Sequence, residues 1–208
     1  MRPWIRVGVA GFLGGVAMFM WASIAHLVTP LGSTGISQIP AEDSVLAPMH
    51  NALGDHAGLY AFPWLQNQSS AAMKAYQEKL KTSPSGLLAY RPPGTPAMQT
   101  SQLVTEFISE AVQAIIAATL LAWAALAGFW KRVGFVTLLG GAAAITTNVS
   151  YWNWYGFPAS YTAAYAAIEW VGYIVAGLVI AAVLPRNIPN GLWRVTETEV
   201  AITVGNSD

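Results

Sequence analysis

The sequence predicts an all-α integral membrane protein, with four transmembrane helices in a bundle and a small, mostly helical extracytoplasmic cap between helices 1 and 2. Three observations carry this reading. Of the 208 residues, 54% are hydrophobic and 10% are charged, where a soluble domain carries roughly a quarter of its residues as Asp, Glu, Lys or Arg. Four stretches reach the length of about 20 mostly apolar residues that a spanning helix needs. The Lys and Arg residues of the short flanks fall on one side of those stretches.

The first span runs from about Trp4 to Val28 and ends before Pro30. Ser23-Ile24-Ala25 has the small-x-small form of a signal-peptide cleavage site. The long apolar run and its bulky Trp4, Phe19 and Trp21 suit a retained helix better. Residues 1–29 are therefore assigned to transmembrane helix 1. Residues 30–100 form the cap, 101–185 carry helices 2 to 4, and 186–208 are a tail.

Within the cap, Pro40-Ala41-Glu42-Asp43 opens a helix reaching about Leu53, with acids in its first turn where the helix dipole favours them. Ser69 or Ser70 caps a second helix, from Ala71 to about Lys81, and Gly86–Tyr90 reads as a short strand. The run Leu59–Trp64 is expected at the membrane interface or packed on the bundle. About 70 residues without disulfides bury too little surface for comfortable independence.

The remaining spans run from about Gln102 to Trp130, Val133 to Trp152 and Ala159 to Leu184, with Pro158 and Pro185 as punctuation. Val195–Val204 alternates like a strand, and a lone strand is not stable. Orientation follows from Arg2, Arg6, Lys131, Arg132, Arg186 and Arg194, all on one side of a four-span chain. In a bacterial inner (cytoplasmic) membrane this puts both termini in the cytoplasm and the cap in the periplasm.

Composition excludes several function classes. Ten basic and ten acidic residues cancel, which argues against the broad basic face of a nucleic-acid binder. Cysteine is absent, so there is no disulfide, iron–sulfur cluster, thiolate zinc site or Cys nucleophile. Gly8–Gly15, Gly140-Gly141 and Gly172–Gly177 lie inside spans without a phosphate-loop Lys and read as packing glycines. No Gly-x-Ser-x-Gly elbow and no Glu-x-x-His diiron motif occurs.

Ionisable and amide groups inside spans are functional-site candidates. His26, Glu106, Glu110, Asn148 and Glu169 all fall in the external half or the middle of their spans. Glu106 and Glu110 share a face at i,i+4, continued by Ala114, Ala118 and Ala122; Glu169 lies between Tyr165 and Tyr173 on the same stride. Trp21, Trp152, Tyr165 and Tyr173 are the expected aromatic lining of a polar pocket open to the outside, with Glu110 near Asn148, His26 or Glu169. His26, Glu110 and Glu169, with His50 and His56 from the cap, are weak metal-ligand candidates, and no cofactor is implied.

With no complete catalytic constellation, the reading leans away from an enzyme. It favours an accessory or structural subunit of a larger membrane complex, in contact with lipid and with protein partners or a second copy. The alternatives are a carrier or metal- or proton-handling enzyme using the Glu/Asn/His pocket, and a lipid-, quinone- or pigment-binding protein. Simple interhelical hydrogen bonding by these polar groups is the plainest account.

Overall fold

Four helices dominate the structure, a computed structural model that describes residues 3–185. They are α1 (Pro3–Leu27), α4 (Thr100–Trp123), α5 (Phe129–Tyr155) and α6 (Ala159–Val183). Each is long and apolar enough to cross a membrane, so the chain is a multi-pass membrane protein. The connecting segment holds a 3-10 turn (Pro30–Ser33), α2 (Asp43–Leu53), β1 (Gly58–Phe62), α3 (Ser70–Thr82) and β2 (Gly86–Tyr90). The strand-like Val195–Val204 lies outside the described residues.

Glycines set which helices meet. A Cβ on Gly11 would lie 2.5 Å from the Ile115 Cα, and one on Gly15 would lie 2.5 Å from the Ala111 Cα. The Gly11-x-x-x-Gly15 face thus seats α1 directly on the α4 backbone, the close approach that small residues permit between helices in lipid. Gly14 meets Ile180, Gly172 meets Met18 and Gly140 meets Tyr173. In each helix pair the partner numbers run in opposite directions, so α1 is antiparallel to α4 and α6, and α5 is antiparallel to α6. The resulting order is α4–α1–α6–α5. Although α4 and α5 are consecutive in the chain, they touch only sparingly. The space between them becomes the site described below.

The packed interior is built mainly from small and aliphatic residues, among them Ala10, Ala114, Ala118, Leu121, Val136, Ala176 and Ile180. The outward faces are apolar as well: Val112, Ile116, Leu138 and Ile145 are exposed, as expected where lipid is the solvent.

A basic group is buried in this frame. Arg132, 2% exposed, lies in the first turns of α5 rather than in the turn before it. Its Nε donates to the Leu126 carbonyl (2.9 Å), and its Nη1 and Nη2 donate to the carbonyls of Leu184 (3.1 Å) and Pro185 (2.7 Å). Leu126 belongs to the α4–α5 turn, while Leu184 and Pro185 end α6. A rigid five-donor fork suits such divergent acceptors. The guanidinium satisfies carbonyls that a helix end leaves without partners.

The connecting segment departs from the sequence reading in one respect. Leu59–Phe62 belongs to a strand, an element the sequence reading did not assign there. β1 pairs antiparallel with β2 in the register Gly58↔Tyr90, Tyr60↔Leu88, Phe62↔Gly86. Because Leu59 to Phe62 are all apolar, the alternation that marks a strand is invisible there. α2 and α3 bury no residue fully. What order there is centres on Tyr90, whose hydroxyl donates to the Gly54 carbonyl (2.8 Å) and lies 3.2 Å from the His50 Nδ1.

Candidate functional site

Where α4 and α5 part, a cavity of about 550 Å³ opens among all four long helices. Met18, Trp21, Ala22 and His26 of α1 line it, as do Glu106, Glu110 and Gln113 of α4. From α5 come Ala143, Thr147, Asn148 and Tyr151; Tyr161, Tyr165, Ile168, Glu169 and Gly172 come from α6. Antiparallel packing puts the C-terminal halves of α1 and α5 beside the N-terminal halves of α4 and α6. The cavity therefore lies in the half of the helix assembly that adjoins the 30–100 segment.

Its deeper wall is a set of polar groups. The Asn148 Nδ2 donates to the Glu169 Oε2 at 2.9 Å and to the Ala144 carbonyl at 3.0 Å. The Tyr173 hydroxyl donates to the Gln113 Oε1 at 3.0 Å, and the Gln113 Nε2 donates to the Ser109 hydroxyl at 3.1 Å. The Trp21 indole donates to the Ile168 carbonyl at 2.9 Å, which fixes α1 against α6 beside Glu169. Glu110 differs from all of these. It is 7% exposed, and its Oε2 is buried without a hydrogen-bond partner. A buried carboxyl oxygen with no donor is costly, and Glu110 bears that cost in the wall of the cavity.

The outer wall is aromatic. Tyr161 stacks on Tyr165 with centroids 4.1 Å apart, and Phe157 stacks on Tyr151 at 5.4 Å. Phe157 meets Tyr161 edge-on at 5.3 Å, and His26 meets Tyr165 at 5.3 Å. Five rings thus run in sequence from α5 across to α1. The turn after α1 closes over them: Gly35, at φ +80°, sits so near Tyr161 that a Cβ would fall 2.6 Å from the tyrosine Cβ. A side chain at position 35 would therefore be strained and also clash.

All five polar residues singled out from sequence line this one cavity, and their conditions differ. Glu110 and Asn148 are buried, Glu169 is half-buried, and Glu106 and His26 are exposed. The direct amide–carboxyl bond joins Asn148 to Glu169, and Glu110 takes no part in it. Of the expected aromatics, Trp21 and Tyr165 line the cavity, and Tyr173 braces Gln113 behind it. Trp152 is 49% exposed and lies away from the lining. His50 contacts Tyr90 in the connecting segment, and the backbone carbonyl of His56 accepts from the Tyr60 hydroxyl. Among the described residues, no three His, Asp or Glu side chains come together in a metal-binding group.

Sequence reasoning overlooked Gln113, Tyr151, Phe157 and Tyr161. The signal for two of them was present. The stride of four through Glu169 that picks out Tyr165 and Tyr173 reaches Tyr161 when carried back toward the start of α6. Gln113 is three residues beyond Glu110 on the same face.

In comparisons with known proteins, no family model, no curated protein and no solved structure matches the chain.

Proposed function

We propose that this chain binds a small ligand between its spanning helices, in a pocket reached from the side of the 30–100 segment, and acts as a membrane carrier or ligand-binding component. The observation that carries this reading is a buried Glu110, one carboxyl oxygen of which has no hydrogen-bond partner, in the lining of a cavity of about 550 Å³. That volume falls within the roughly 300–1,000 Å³ typical of small-molecule sites. A group held only for packing would be expected to have its hydrogen bonds satisfied within the protein, as Asn148 has. In this reading the chain lies in a bacterial inner membrane with its termini cytoplasmic and residues 30–100 as a periplasmic cap. Lys131 and Arg132 support that orientation.

The absence of cysteine allows a clean test. Thr147→Cys lines the cavity, and Ile145→Cys points away, since Ile145 is exposed on the outer face. In intact cells, a water-soluble, membrane-impermeant thiol reagent should modify Thr147→Cys and spare Ile145→Cys. A Thr147→Cys that stays unmodified until the membrane is opened would overturn the reading.

An accessory subunit of a larger complex is the second reading. The broad exposed apolar face of α4 and α5, including Trp123, Leu138 and Ile145, favours it. Purification in mild detergent separates the two: stoichiometric, non-identical partners would favour the subunit.

A further inference from the structure

The cavity is rich in acidic groups. Glu106, Glu110 and Glu169 line it, and among the described residues no Lys or Arg does, His26 being the basic side chain of the lining. Aromatic rings supply much of the remaining wall, led by the stacked pair Tyr161 and Tyr165 with Trp21 nearby. Ring faces carry negative quadrupole density and attract cations.

Each simpler class of guest meets an obstacle. An anion would face three carboxyl groups, with the exposed His26 as the one basic side chain of the lining among the described residues. A neutral hydrocarbon would leave the Glu110 Oε2 buried without a donor, at the cost that any unsatisfied buried polar atom carries. A bare metal ion asks for several converging oxygen or nitrogen ligands, and no such group of three exists among the described residues.

We infer that the ligand is an amphipathic amine cation, its N–H donating to the Glu110 carboxyl and its hydrocarbon part lying against the Tyr161, Tyr165 and Trp21 rings. The inference rests on the cavity being a ligand site, as proposed above. The ammonium brings a donor to the Glu110 carboxyl group and a positive charge among three acidic side chains. Glu169, already engaged by Asn148, adds a second negative centre. A cavity of about 550 Å³ admits a single aromatic ring with a short alkyl chain.

Three probes with one skeleton test the class: 3-phenylpropylamine, a cation near neutral pH because an alkylamine titrates at about 10, 3-phenylpropanol, and 3-phenylpropionate. Each is titrated against thiol labelling of the full chain carrying Thr147→Cys in nanodiscs. Gln68→Cys, in the connecting segment, controls for effects on the reagent. The amine should protect Thr147→Cys at a concentration at least tenfold below the alcohol, and the carboxylate should not protect. Glu110→Gln should raise the amine concentration needed at least tenfold and shift the alcohol less than twofold. If Glu110→Gln does not purify as a folded species, Glu169→Gln is read in its place. Equal protection by amine and alcohol, or an amine response indifferent to these substitutions, would overturn the amine and leave the cavity standing as a ligand site. Ready labelling with no protection by any probe would also overturn the amine. Failure of Thr147→Cys to label at all would instead remove the ligand site itself.

Discussion

Replacing Arg132 separates two roles that a positive charge can have beside a membrane. If Arg132 only contributes to the excess of basic residues that orients the chain, Lys at the same position is silent. The geometry says otherwise. Three guanidinium nitrogens each donate to a different carbonyl, at 2.7–3.1 Å, on two chain segments. The Leu184 residue that receives one of these bonds is itself 3% exposed. A hydrogen bond to a charged group contributes about 1.5–3 kcal/mol net, and bonds sharing one side chain do not sum. Arg132→Met should therefore cost about 3–5 kcal/mol, since it leaves buried carbonyls without donors. A Lys ammonium is a compact point donor and cannot span acceptors lying in different directions. Arg132→Lys should retain part of the network and cost about 1–2 kcal/mol, with topology unchanged. The assay is equilibrium unfolding in SDS–detergent micelles by far-UV circular dichroism, paired with a reporter fused after Asp208. A wild-type stability for Arg132→Lys would refute the structural role and reduce Arg132 to a topological charge.

Three further outcomes follow from particular contacts. Gly15→Ala should lose about 1–3 kcal/mol, the usual cost of overpacking, because its Cβ would fall 2.5 Å from the Ala111 Cα; Gly8→Ala, whose Cβ meets nothing within 4 Å, should be neutral or slightly stabilising in the same titration. Glu169→Gln should keep the fold, since the amide oxygen still accepts from the Asn148 Nδ2, whereas Glu169→Leu should lose about 1 kcal/mol, the scale of hydrogen bonds within membranes; equal stability of the two variants would contradict the Asn148–Glu169 bond. Tyr90→Phe removes the hydroxyl between Gly54 and His50, so limited proteolysis within residues 43–90 should accelerate while the helices keep their midpoint; an unchanged digestion rate would show that Tyr90 does not hold the segment together.

The four long helices were legible from the chain because lipid imposes a one-dimensional rule: about 20 apolar residues in a row, polar backbone satisfied locally, prolines at the margins. α4, α5 and α6 begin or end within a few residues of where hydropathy and Pro158 put them, except that α4 stops at Trp123 rather than Trp130 and α5 takes in Phe129 to Arg132, which converts a supposed turn charge into a buried donor. The strand Gly86–Tyr90 was readable, but its mate was not. Pairing across an intervening helix is a long-range choice, and an unbroken apolar Leu59–Phe62 leaves no period to read. The stride of four placed Glu106 with Glu110, and Glu169 with its tyrosines, on common faces, because a helix fixes which residues of one segment lie together. Which face meets which is decided elsewhere. Gly11 and Gly15 draw α1 onto α4, Gly140 draws α5 onto Tyr173, and the sequence neighbours α4 and α5 are left apart. Only that packing order opens the cavity, gives Asn148 to Glu169 instead of Glu110, and leaves one carboxyl oxygen without a donor. Periodicity along a chain carries no information about the distance between two helices, and the site is made of that distance.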